Sequence, residues 1–327
     1  MTTLTERSSP PRSLPDGVNP LRARRALRDL YAHPSLSAAD LTAPLLVLPD
    51  DAPPATLPGA VQLAAVRPTV ERWAALGIRG VKLFAYGHDR SPDARSALAP
   101  GNRMLRAITE VKAADPAMAV TTEVCGCSWT DHGQCVLRTD DGGIDLDATY
   151  TLMAAMAVQH AEAGADAASP TAMLDGSVRA VRTALDTARL QDVGVNPNIA
   201  LHTSLYGPFK DLMATNPRSG HRRGLQLEPA RAQRDALLQA RHWIQEGADS
   251  LTLQPVMSTI DVLVRLRADQ EVPLVAYSTS GEYPALTALG APGMLEYHAM
   301  LKRAGADIIL TFAAEELAVL LAETAHG

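Results

Sequence analysis

The sequence predicts an α/β fold, a (β/α)8 TIM barrel with an N-terminal arm, and three observations lead to it. Eight short apolar runs alternate with amphipathic stretches, and a glycine-centred junction recurs before several of them. The 327 residues suit one barrel of about 250 residues plus an extension. The runs occupy residues 44–48, 80–86, 119–125, 167–171, 198–203, 250–255, 274–279 and 308–313. Regular strand–helix alternation builds a parallel sheet. The junctions Ala163-Gly164-Ala165-Asp166, Glu246-Gly247-Ala248-Asp249 and Ala304-Gly305-Ala306-Asp307 each close a helical pattern and lead into a run, with Leu76-Gly77-Ile78-Arg79 as a looser copy. Glycine suits the left-handed residue that ends a helix. An open doubly wound sheet is the competing architecture, but it usually carries a Gly-rich phosphate turn after its first strand, and this sequence has none.

Taken in order, residues 1–20 are Pro-rich and without periodicity, as in a flexible tail. Residues 21–43 are basic and helical in part and read as an arm, and residues 44–327 form the barrel. The formal net charge of −6 argues against a nucleic acid or an anionic membrane as partner. No apolar stretch reaches the 18 residues of a membrane span, and the polar start is not a secretory signal. The expected location is the cytoplasm, where cysteines stay free or bind metal rather than bridge.

All three cysteines fall in one loop, as Cys125-x-Cys127-x7-Cys135 after the third run. Cys-x-Cys on an extended segment turns both sulfurs to one side, and the third closes a three-thiolate face. Such soft donors suit zinc and leave one coordination position open. His132 lies inside the loop as a further possible ligand. Three unrelated small residues are the plain alternative.

The 30 basic residues include only four lysines, Lys82, Lys112, Lys210 and Lys302, so lysine chemistry has four possible seats. On the second run Lys82 alternates with Val81 and Leu83, which places it inside the barrel. It reads either as a nucleophilic amine or as a buried partner of Glu123. Lys112 and Lys302 fall on amphipathic helical patterns and read as solvated. His202 shares a strand face with Asn198 and Ala200, so it is expected to project into the cavity as a general base or to sit as a satisfied core residue. Trp129 and Trp243 read as packing residues.

From Glu123 onward, VCGCSWTDHGQC followed by DGGIDLDAT resembles the zinc loop of the porphobilinogen synthase (5-aminolevulinate dehydratase) family. The likeness continues through residues 160–176, Tyr206-Gly207-Pro208-Phe209, His221-Arg222-Arg223-Gly224-Leu225-Gln226 and Ser280-Gly281-Glu282-Tyr283. The resemblance implies a (β/α)8 barrel whose arm wraps a neighbouring subunit, so a homo-oligomer between dimer and octamer is expected. It also implies condensation of two 5-aminolevulinate molecules through two Schiff-base lysines. By the same resemblance Arg222, Arg223, Gln226, Tyr277 and Ser280 bind substrate, a small carboxylated metabolite. Lys210 stands at a family arginine and is expected to hold a carboxylate. Thr171 replaces a loop serine, Phe312 a tyrosine, and Glu123 an aspartate near the reaction centre.

Both imine lysines are missing. The family's Met-Val-Lys-Pro is Thr252-Leu253-Gln254-Pro255 here, and counting back from Tyr206 puts Ala200 at the other lysine position. Neither an amide nor a methyl forms an imine. Three readings follow: a repurposed zinc-dependent lyase or condensing enzyme acting on a small carboxylated amino-ketone; the family reaction through a relocated Lys82; or a non-catalytic homologue that binds a ligand or a partner barrel.

Overall fold

Eight parallel strands follow the eight apolar runs: β1 Leu41–Leu48, β2 Gly80–Ala85, β3 Ala119–Val124, β4 Ala167–Pro170, β5 Asn198–Ala200, β6 Leu251–Gln254, β7 Leu274–Ser278 and β8 Ile308–Thr311. The computed structural model describes residues 24–31 and 36–325. The tail expected at 1–20 lies outside the described residues, as do positions 21–23 and 32–35 of the expected arm. Two units divide the chain, Met1–Ser35 and Leu36–Gly327. The first contains the short helix Arg25–Tyr31, and the second is the barrel.

Hydrogen-bonded neighbours run β4-β3-β2-β1-β8-β7-β6-β5. The ring closes through a divided fifth strand. Its leading piece, Gly194–Val195, pairs with β4, whereas Asn198–Ala200 pairs with β6. Between them the Asn196 N–H donates to Ala168 O at 2.9 Å, and the Pro197 carbonyl accepts from the Thr252 N–H at 3.0 Å. Proline has no N–H to leave unpaired where the strand changes partner. The helices α1 Val66–Ala75, α2 Arg103–Ala114, α3 Leu146–Glu162, α4 Ser177–Thr187, α5 Ala232–Glu246, α6 Ile260–Asp269, α7 Gly290–Arg303 and α8 Ala314–Ala325 alternate with the strands. Among the described residues no helix is long and apolar enough to cross a membrane.

Strand alternation divides the side chains into two sets. Leu45, Val47, Val81, Leu83, Val120, Ile199, Leu251, Leu253, Ala276 and Ile309 belong to the main core together with apolar helix residues. The lumen is itself split. Leu46, Leu48, Phe84, Tyr277, Leu310 and Phe312 form an apolar cluster. Across from it lie the buried polar residues Lys82, Glu123, Ser169, Asn196, Asn198, Thr252 and Gln254.

The recurring junction has a mechanical role beyond the glycine. Gly164, Gly247 and Gly305 have φ of +109°, +104° and +112°. The aspartate two residues later then clamps a neighbouring strand at both backbone atoms. The Asp307 N–H donates to Leu274 O at 2.9 Å, and its carboxylate accepts the Leu274 N–H at 2.7 Å. Asp166 makes the same pair with Val120, and Asp249 with Val195. A cation completes each of these clamps, Lys112 on Asp166 at 2.7 Å, Arg267 on Asp307 at 3.1 Å and Arg182 on Asp249 at 3.8 Å.

Three local expectations change. The first strand begins at Leu41 rather than residue 44, because Leu41 and Thr42 pair with Ile309 and Leu310 of β8. The fifth ends at Ala200 rather than 203: Leu201 still donates its N–H to Gln254 O at 2.9 Å but bridges Leu227, and the His202 N–H turns to Leu227 O. Lys112 and Lys302 are not free in solvent: the first holds Asp166, and the second reaches Asp40 at 2.9 Å. Asp307→Ala, which strands the Leu274 N–H, is expected to destabilise the protein by about 1–3 kcal/mol in urea unfolding. Asp307→Asn, which keeps an acceptor oxygen, is expected to recover most of that loss.

Candidate functional site

The polar half of the lumen opens into a cavity at the C-terminal ends of the strands, where a barrel of this kind places its chemistry. Its wall includes Glu123 from β3, Asn198 and Ala200 from β5, Gln254 from β6, and Tyr277 from β7. Loops add Cys125, Cys127, Cys135, Thr171, Lys210, Arg222, Gln226 and Ser280. The chain thus brings together most of the residues singled out from sequence.

The sulfurs of Cys125, Cys127 and Cys135 all lie within 4.8 Å of one another, and all three residues are buried. Their mutual hydrogen bonds push the Cys125 thiol up, with burial adding to the shift. They hold Cys135 well below the usual thiol range, helped by the Arg222 guanidinium. Three clustered soft donors facing a cavity fit a thiophilic ion with one position left open. His132 is outside this cluster; its Nδ1 accepts the Gln134 N–H at 3.1 Å.

Arg222 is fastened to the Gly133 and Thr215 carbonyls, which ties the arginine loop to the cysteine loop. Lys210, on the short helix Gly207–Leu212, carries its ammonium 5.0 Å from the centre of the Tyr206 ring. Burial and the nearby Arg222 lower its pKa. Ser280 Oγ accepts the Phe209 N–H at 2.9 Å, leaving its own hydrogen to donate. The next residue permits that approach: a Cβ on Gly281 would stand 2.5 Å from Leu205 O.

Ala200 and Gln254 are direct register partners on adjacent parallel strands. The Tyr206 hydroxyl braces this pair by donating toward Leu201 O at 2.9 Å and Gln254 O at 3.1 Å.

Three expected site residues take other places. Lys82 is inside the barrel, but not in the wall of this cavity. Its Nζ donates to Ser169 Oγ and Asn198 Oδ1, both at 2.8 Å, rather than pairing directly with Glu123. Burial lowers Lys82 to about 7, against the pull of Glu123, and raises Glu123 to about 8. His202 lines a neighbouring cavity with Arg231, Arg234 and Asp261, and its Nδ1 is 3.2 Å from Gln226 Oε1. Strand alternation stops at Ala200, and the His202 N–H donates to Leu227 O, so the side chain no longer follows the inward face. Arg223 is exposed, because it starts a tight helical turn in which Arg222 turns inward. Sequence reasoning passed over Asn198 as a wall residue, although its face shared with Ala200 was the available signal.

Three buried thiols beside the partly buried cations Arg222 and Lys210, at the mouth of a (β/α)8 barrel, define a pocket able to hold a metal ion. The comparisons with known proteins agree on the family. A profile of the Delta-aminolevulinic acid dehydratase family matches residues 18–320. The Delta-aminolevulinic acid dehydratase of Synechococcus elongatus is 34% identical over 318 residues, covering 92% of this chain and 97% of that protein. Its Bacillus subtilis counterpart is 33% identical over 316 residues, covering 93% and 97%. The crystal structure of the Toxoplasma gondii enzyme in complex with the reaction product porphobilinogen superposes with a TM-score of 0.89 at 29% identity, covering 96% of this chain and 94% of that one. The chain belongs to the delta-aminolevulinic acid dehydratase family.

Lys82 gives a signed pH test. Its folded pKa lies below its ordinary value of 10.5, so the unfolded chain binds more protons between about pH 7 and 10.5. Lys82 therefore adds stability as pH rises through that window. Compared with Lys82→Met, wild type is expected to gain up to about 1.4 kcal/mol per pH unit in denaturant unfolding above pH 7. A pH-independent difference would show that the amine is not desolvated.

Proposed function

We propose that this chain is a zinc-dependent lyase or condensing enzyme acting on a small carboxylated amino-ketone or related metabolite, by a route without the family's two imine lysines. The observation that carries it is the pairing of Ala200 with Gln254 in a cavity that retains the thiol cluster and its cations. Cys125, Cys127 and Cys135 would hold the metal. Zinc in such a site supplies Lewis-acid polarisation of a carbonyl or an activated water.

The chain's own residues supply binding and proton control. Arg222 and Lys210 offer positive charge to a substrate carboxylate, with the Ser280 hydroxyl and Gln226 as further polar partners. Tyr277 and Thr171 bound the pocket. Gln254 can hydrogen-bond at the position where the family forms an imine, but cannot replace that bond. Glu123, held toward its protonated state by burial, can give or take a proton near neutrality. Lys82 is engaged by Ser169 and Asn198, which disfavours it as a relocated nucleophile. Arg223 and His202 stand outside the pocket wall, so their roles would lie in the loop and the neighbouring cavity. The family resemblance supports a homo-oligomer.

Metal analysis of the purified protein is expected to find about one zinc per chain, lost in Cys135→Ala. Borohydride treatment with 5-aminolevulinate is expected to leave all four lysines unmodified. A reduced adduct accompanied by pyrrole formation would sink the imine-free reading. Metal and carboxylate binding without turnover across a panel of amino-ketones and keto acids would replace it with the non-catalytic one.

A further inference from the structure

Asn198 occupies the floor of the cavity and is fully buried. Its Oδ1 is 2.8 Å from Lys82 Nζ and 3.1 Å from Ser169 Oγ. The amide oxygen is the atom that faces Lys82 Nζ, and a protonated Lys82, which can only donate, holds it there. That assignment settles which way the amide is turned. Its Nδ2, on the other side, has no hydrogen-bond partner among the described residues. Buried amide donors are ordinarily satisfied, and one left open beside a cavity calls for an acceptor from outside the protein.

Glu123 lines the same cavity, and its Oε2 already accepts from Ser128 Oγ at 3.1 Å. A ligand carboxylate is drawn to the cations rather than to this floor, which leaves the other acceptor of the same molecule, a carbonyl oxygen, for the open amide donor. The cations Arg222 and Lys210 belong to the loops above. We infer that Asn198 donates to a neutral carbonyl oxygen of the ligand, a ketone or carboxamide, and that Lys82 is the positioning residue that orients the amide for it. This inference rests on the carboxylate pocket proposed above and assigns the carbonyl of its ligand to one donor, Asn198 Nδ2. Lys82 then explains its place: a buried ammonium whose acceptor is the group it orients.

Binding of matched pairs tests this directly. The probes are linear keto acids of five, six and seven carbons with the ketone next to the terminal methyl, each against its saturated parent acid, titrated calorimetrically into the intact protein. Wild type is expected to prefer at least one keto acid over its parent by roughly three- to tenfold, the worth of one neutral hydrogen bond. Asn198→Asp keeps an acceptor for Lys82 but removes the donor. It is expected to abolish the preference, read as the ratio of the two affinities, so that any effect of the added carboxylate on both acids cancels. Asn198→Ser, which cannot reach the ligand, serves equally if the aspartate variant fails to fold. Lys82→Met, which frees the amide to turn, is expected to narrow the same ratio, a change that loss of stability alone would not produce. A preference unmoved by the Asn198 variants overturns the inference and leaves the carboxylate pocket standing. Failure of wild type to bind either member of every pair overturns both.

Discussion

Closure of the barrel at the fifth strand is the constraint on which the rest of the molecule depends. Seven strands are continuous, but the fifth makes its two seams with separate pieces, giving its first half to β4 and its second half to β6. The Asn196-Pro197 step manages the exchange without an unpaired N–H. Side chains reinforce the change of partner from inside. Thr252 Oγ1 donates to Asn196 Oδ1 at 2.7 Å, and Asn196 Nδ2 donates to Ser250 Oγ at 2.8 Å. The polar lining of that half of the lumen is therefore partly structural. It also brings Ala200 level with Gln254.

The apolar half performs a different task. Phe84 and Phe209 pack edge to face with centroids 5.0 Å apart, and Tyr277 stacks on Phe312 at 6.3 Å. These rings exclude water from one side of the cavity, so charges on the other side feel a low dielectric. Burial then acts on Lys82 and Glu123 in opposite directions, lowering the amine and raising the acid toward neutrality. Each is costly to bury alone, and together they make the lumen a place where protons are held loosely.

Family membership and the proposed change of chemistry rest on different residues. The fold depends on the outward apolar faces, the glycine turns and the aspartate clamps, none of which involves the cavity wall. Ala200 and Gln254 lie on the inward face, where substitution leaves the surrounding helices undisturbed. In the proposed reading the barrel keeps its thiol cluster and its cations without lysines at the two positions to which the resemblance assigns imines. Lys82 likewise lies on the inward face of the second strand, between the outward Val81 and Leu83 of the main core.

The alternation of apolar runs, the repeated glycine junctions and the clustered cysteines were legible in the sequence because each is a local pattern. Strand periodicity decides which side faces the helices, so Lys82 could be placed inside the barrel from Val81 and Leu83 alone. The lysine deficit and its consequence at positions 200 and 254 were likewise readable from residue identity within a resemblance. What a side chain meets across the barrel is not local. Lys82 found Ser169 and Asn198 rather than a direct contact with Glu123, and His202 turned to a neighbouring cavity once the strand ended at Ala200. Arg222 went inward and Arg223 outward through one tight turn. Those outcomes depend on closure bringing distant strands and loops together, where burial and the supply of hydrogen-bond partners decide each side chain's place.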